Sequence, residues 1–275
     1  MDLRGIKFAP AGNPLNFLKS NLGKQRFGIL EWSSKLGLNA QERQMTYGAR
    51  MKEEDAKLFG RQAKKFGISL SIHGPYYVVL TSEKERVAEN SIKELIKTCN
   101  LADFMEAKDV VFHPGYGKDT SKIIKRLNIV EKEKPKKVTI CPETMGKLSQ
   151  LGSVEEVIEI CENTECSPCI DFAHVYAKSL GKIKTTEDFR KILIQIEKRL
   201  GKKVLKNLHC HFYPVEFTDK GEKIHRAITE NNVFPRFIDF APLIKEFKMT
   251  PYLVSESHNT QDLGALEMKK ILEKI

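Results

Sequence analysis

No apolar run in this chain approaches the ~18 residues that a membrane-spanning helix needs. The opening residues, MDLRGIKFAP, also lack the apolar stretch and cleavage site of a secretion signal. A cytoplasmic protein with no membrane partner is the expectation. A glycine-rich G-x-G-x-x-G loop after the first apolar segment is missing as well, which argues against an open, doubly wound dinucleotide-binding sheet. Low-complexity linkers and shifts of composition are lacking, so a single domain over residues 1–275 is expected. Cysteine is sparse, with six residues at positions 99, 141, 161, 166, 169 and 210. That excludes a disulfide scaffold in a chain this long. Cys161, Cys166 and Cys169 do form a C-x4-C-x2-C spacing used by iron–sulfur proteins. No fourth thiolate presents itself and Cys169 falls in an apparent strand, so reduced structural cysteines are expected.

Acidic residues are the scarcer charge, 36 against 46 Lys plus Arg, for a formal net charge of +10. A basic balance suits an anionic partner. The lysines, however, stand beside glutamates in segments such as SEKERVAENSIKELIK (82–97), the pattern of a solvated helix face. The densest basic run, KEKPKK (132–137), reads as a polar loop entering a strand. Charge alone identifies no partner.

What the sequence does contain is a regular alternation of short apolar or β-branched runs with longer segments of helical periodicity. Strands are expected at 3–8, 40–45, 68–73, 110–113, 138–143, 169–172, 205–212 and 252–256. Helices are expected at 27–36, 52–65, 84–105, 120–131, 154–162, 186–200, 237–247 and 263–274. Eight strand–helix units of about 34 residues each predict an α/β fold, a single (β/α)8 TIM barrel.

Histidine or a carboxylate stands at the end of strand after strand: His73, His113, Glu143, Asp171, His211 and Glu256. In a barrel these ends converge on one face, where active sites are built. His174, Glu222 and His225 follow closely in loops. One histidine ending a strand is more often a hydrogen-bonded structural residue than a ligand. Six independent strand ends are poorly explained that way. Mixed imidazole and carboxylate donors suit zinc, with manganese or iron(II) as alternatives. Nine donors exceed the needs of one ion, and two or three ions fit better. Multinuclear sites of this kind serve metal-assisted hydrolysis, in particular of phosphodiesters, or isomerisation.

The segments SIHGPYYVVL (71–80), VVFHPGYG (110–117), CPETMGKLSQLGS (141–153), CIDFAHVYA (169–177), HFYPVEFTDKGEKIH (211–225) and YLVSESHN (252–259) resemble endonuclease IV in order and spacing. That is the AP endonuclease family 2 of the xylose-isomerase-like TIM barrel superfamily. The resemblance implies a zinc-dependent hydrolase of DNA repair that cleaves DNA 5′ to abasic sites, acting as a monomer. It implies a first ion held by His73, His113 and Glu143. A second is implied at Glu143, Asp171, His211 and Glu256, with Glu143 as bridge and Glu143 and Glu256 as the catalytic carboxylates. A third is implied at His174 and His225 with an acidic partner. The family places Asp and His two apart at that point; here Glu222-x-x-His225 is the nearest match and Asp219 a rival. His209 rivals His211, since strand alternation puts both on one face. Tyr76 and Tyr77 sit where the family inserts side chains into damaged DNA, and Arg50 in QMTYGARM is a second candidate wedge.

A sugar isomerase or epimerase on the same barrel would need Glu143, Asp171, His174, His211 and Glu256 but neither His113 nor His225. A damaged-DNA-binding protein with weak cleavage is the third expectation.

Overall fold

The computed structural model describes residues 2–275. Eight parallel strands form the barrel: β1 (Lys7–Pro10), β2 (Ala40–Gln44), β3 (Ser69–His73), β4 (Asp109–Phe112), β5 (Thr139–Pro142), β6 (Cys169–Asp171), β7 (His209–His211) and, last in the chain, β10 (Tyr252–Ser255). Between β7 and β10 lies an antiparallel hairpin, β8 (Val215–Thr218) and β9 (Gly221–His225). The barrel strands pair in two sets of four, β2-β3-β4-β5 and β6-β7-β10-β1. Single parallel bridges, Ala11 to Glu42 and Glu143 to Cys169, join the two halves into a closed (β/α)8 barrel.

The strands are short and β4 is a continuous buried run, Val110, Val111 and Phe112, as expected of a parallel sheet covered on both faces. Outside the sheet, helices pack their apolar stripes on the strands. Around one half, Phe59, Leu95, Leu127 and Ile140 are fully buried; around the other, Phe172, Phe189, Phe212 and Phe240 make an aromatic cluster. Each such side chain contributes roughly 1.5–3 kcal/mol of burial. Helix starts are set by local chemistry. Ser153 with Glu156 and Thr185 with Asp188 form capping boxes at 154–162 and 186–200, which satisfy backbone N–H groups that have no partner inside the helix.

Several sequence expectations are corrected. The first strand starts at Lys7 rather than Leu3. The seventh is confined to His209–His211, because Gly201 (φ +90°) ends one helix and starts a short one, Lys202–Lys206, that buries Leu205. The run KEKPKK is partly helical. Its helix continues to Glu133, and buried Lys134 pairs with Glu131 and donates to the Val138 carbonyl. The strand expected through Phe172 stops at Asp171, which caps an unexpected helix, Phe172–Lys178. All six cysteines are buried and free.

Candidate metal centre

The C-terminal strand ends deliver their polar side chains to one place. His73 ends β3 and His113 follows β4; their Nε2 atoms both stand 3.1 Å from Oε2 of Glu143, which follows β5. The other oxygen of Glu143, Oε1, lies 3.0 Å from Nδ1 of His211 at the end of β7. Around that same nitrogen stand Asp171 Oδ2 at 3.7 Å and Glu256 Oε1 at 3.8 Å. Glu143 therefore turns one oxygen toward each of two donor groups. The third group is built by local folding. Asp171 caps the helix that follows β6 by accepting from the His174 backbone, and the first helical turn brings His174 back beside it. The hairpin supplies the rest: Glu222 stands 3.2 Å from Nε2 of both His174 and His225.

Backbone carbonyls orient the imidazoles. Nδ1–H donates to Gly74 in His73, to Thr144 in His174 and to Glu256 in His225. With Nδ1 so engaged, the neutral ring presents the lone pair of Nε2 to the centre once its proton has left, the arrangement by which proteins aim histidine at a metal. Donors that share a tetrahedral zinc ion stand roughly 3.3 Å apart, and the pairs above match that spacing. The donor set fits divalent transition metal.

The electrostatics point the same way. Burial works against charge on His73, but Glu143, with Glu256 and Glu42, outweighs it and raises the imidazole to about 9. In His174 and His211 burial is likewise overcome, and both are pushed well above the usual range. Burial opposes ionisation of Glu143 too, yet His211 and His113 hold it well below the ordinary carboxylate range. His113 goes the other way, lowered by burial. Such carboxylate–imidazole sets exchange protons for a cation.

The rival candidates differ in depth and exposure. His209 lies one layer further down the barrel, between Glu42 Oε2 at 3.1 Å and Asp109 Oδ2 at 3.2 Å, stacked on Tyr252. Asp219 is exposed in the hairpin turn, while Glu222 faces inward. Tyr76 covers the first group, its ring 4.9 Å from that of His113. Tyr77 turns away, beside Gly48 and Glu94, with the exposed Arg50 near it; neither reaches the donors. A cavity of about 540 Å³ opens over the site between Gln44, Tyr76, Glu222, His225, Glu256 and His258.

Three participants were missed in the sequence. Glu42 is fully buried below His211, and Gln44 donates to Glu256 Oε1 at 3.1 Å. Both lie on the inward face of β2; the strand-end pattern widened to amides would have found Gln44, and strand alternation from it leads to Glu42. Tyr213, buried after β7, carried no signal at all.

Comparison with known proteins agrees with this architecture. Residues 30–274 match the family described as xylose isomerase-like TIM barrel. An uncharacterized protein of Methanocaldococcus jannaschii is 33% identical over 273 residues, 95% of each chain. A protein named probable endonuclease 4 from Aquifex aeolicus is 28% identical over 216 residues, 74% of this chain and 75% of that one. The crystal structure of endonuclease IV from Thermus thermophilus superimposes with a TM-score of 0.73 at 16% identity, covering 98% of this chain and 100% of the other. With a matched region that spans all three donor groups, the chain belongs to the xylose isomerase-like TIM barrel family and is similar there to endonuclease IV.

Proposed function

We propose that this chain is a metal-dependent phosphodiesterase that cleaves DNA 5′ to abasic sites, with two to three zinc ions as its cofactor. The observation that carries the reading is the pair His73 and His113, whose Nε2 atoms meet Glu143 Oε2 at 3.1 Å. A sugar isomerase built on Glu143, Asp171, His174, His211 and Glu256 has no use for His113 or His225. The group His174, Glu222 and His225 supports the multinuclear reading further.

Divalent ions bound there would supply Lewis acidity and an activated water. The chain's own residues then have defined tasks. Glu143, almost without exposure, joins the first two donor groups and keeps their spacing. Glu256 lines the cavity and is oriented by Gln44, so it can hold a water against the phosphate from its side. Tyr76, exposed at the rim and packed on His113, presents an aromatic face to an unstacked base. The formal charge of +10 favours encounter with a polyanion.

The test is to reload chelated protein with zinc, count ions per chain, and assay it on an abasic duplex, an intact duplex and a panel of ketoses. Nicking of the abasic duplex alone, by protein carrying two or three ions, is expected. Ketose turnover by a one-ion protein that leaves the abasic duplex intact would replace this reading with an isomerase.

A further inference from the structure

Three successive strands end in the same way. Gln44 in β2, His73 in β3 and the His113 that follows β4 all face the metal centre. In each case a tyrosine stands three residues later: Tyr47, Tyr76 and Tyr116. All three are exposed, at 77%, 46% and 57%. Elsewhere the protein hides its aromatic rings. Among the described residues no phenylalanine is exposed, nor is Trp32, and the one other exposed aromatic is Tyr77, next to Tyr76. β2, β3 and β4 are neighbours in the barrel, and such strands lie roughly 4.8 Å apart. The three tyrosines therefore line one arc of the rim, with Tyr76 at its middle beside His113.

The outer two are held out into solvent by their backbones. Tyr47 sits at the tip of a turn in which the Gly48 N–H donates to the Met45 carbonyl at 2.9 Å. On either side of the tip Met45 and Ala49 are buried, and the Ala49 N–H donates to Glu94 at 2.8 Å. The Tyr116 N–H donates to the Thr81 hydroxyl at 2.9 Å, and a β-bridge pairs Tyr116 with Gln150 in the loop after β5. Gly115 allows that fit, since at its φ of +120° an added Cβ would lie 2.4 Å from the Thr81 hydroxyl. Apolar surface gathered in one exposed place marks an interaction site. Rings fixed beforehand also lose little freedom when a flat partner binds. Nucleobases are such partners, because every base has a π-face.

Cations stand where the phosphates of a strand would run. Lys118 follows Tyr116 by two residues, and Lys178 reaches under the same loops, its Nζ donating to the Lys147 and Gln150 carbonyls. In a duplex each base already has stacked neighbours, and exposing its faces costs unstacking and unpairing. An unpaired strand offers them freely. We infer that Tyr47, Tyr76 and Tyr116 form a stacking track for two or three unpaired bases beside the baseless nucleotide. The preferred substrate is then an abasic site in unpaired DNA. The lesion is taken from the proposed function, whereas the stacking does not depend on cleavage.

The test measures binding of zinc-loaded protein to a fluorescent single strand carrying one baseless nucleotide. A phosphonate, with a P–C bond in place of the scissile P–O bond, keeps the strand uncut. A second strand is baseless at the flanking nucleotides as well. Both carry the same charge, so attraction to phosphate cancels between them. Wild type should bind the first strand roughly tenfold or more tightly than the second. Tyr47→Ala and Tyr116→Ala should each lose roughly tenfold on the first and bind the second as wild type does. Annealing a complement to the first strand should weaken binding. Equal affinity of wild type for the two strands overturns the inference, as does tighter binding of the annealed duplex. A loss in the variants that is the same on both strands overturns it too, since that is a structural effect. Should a variant fail to fold, the two strands on wild type still decide it. A protein that nicks an abasic duplex but binds the two strands alike keeps the proposed function and loses the track. One that tells the strands apart through its tyrosines yet nicks nothing keeps the track and loses the proposed function.

Discussion

Nε2 of His211 lies 3.3 Å from Oε1 of Glu42, on the side of the ring opposite Nδ1, which faces Glu143. Glu42 is itself fixed from below by Ser71 and His209. A carboxylate behind a ligating histidine orients the ring and raises its basicity. Replacing Glu42 by Gln keeps the shape and removes the charge. The second ion should then bind roughly 10–100-fold more weakly, read by competition with a coloured chelator. Wild-type affinity in Glu42→Gln would make Glu42 a packing residue only.

His113 separates the nuclease from the isomerase. His113→Ala should remove one ion per chain and cut nicking of an abasic duplex by orders of magnitude, since it strips a donor from the first group. Stability should change little, because the ring adds little to the core. The check is metal content, melting temperature and nicking on the same preparation. Intact nicking in the variant would dismiss the first ion.

Gly146 is where the hairpin meets the barrel. Its carbonyl accepts from the Glu222 backbone, and a Cβ added there would stand 2.7 Å from Glu222 Cβ and 2.9 Å from His174 Cδ2. Gly146→Ala should displace Glu222 and His174, two of the three donors of the third group, at a cost of about 1–3 kcal/mol in stability. Zinc titration should lose the third ion while the first two remain. A variant with wild-type affinity for three ions would mean that the hairpin yields without moving its ligands.

The pH dependence has a definite sign. In metal-free protein His73 titrates at about 9, because Glu143 outweighs the burial that opposes its charge. The pairing stabilises the folded chain fully below the unfolded value of about 6.5. It is lost as pH rises through about 9. Chelated protein should therefore melt at progressively lower temperature across that window. Zinc uptake must release the proton, so zinc affinity should rise over the same range. A flat melting profile of chelated protein between those limits would show that the His73–Glu143 pair carries no proton.

The barrel was legible in the chain because its signals are local. Hydrophobic periodicity, strand length and the eight-fold alternation are written in neighbouring residues, and the helix at 186–200 was read to the residue. The convergence of His73, His113, Glu143, Asp171, His211 and Glu256 was legible because parallel strands in a barrel all end on one face, so position in the strand stands in for position in space. That rule has no purchase where the chain leaves it. The hairpin carrying Glu222 and His225 was expected as loop, and the helix that returns His174 to Asp171 depends on a cap formed by Asp171 itself.

Depth was decided only by the tertiary structure. His209 and His211 point to the same side of β7, and nothing in their spacing says which meets the centre. The barrel places Glu42 and Asp109 around the first and Glu143 and Glu256 around the second. Tyr213 is the extreme case. Its sequence neighbours describe an ordinary buried aromatic, and only the convergence of three separate segments puts its oxygen among two imidazoles and a carboxylate. Sequence determines which chemical groups each segment can offer. Which of them share a few ångströms of space follows from packing between segments distant in the chain.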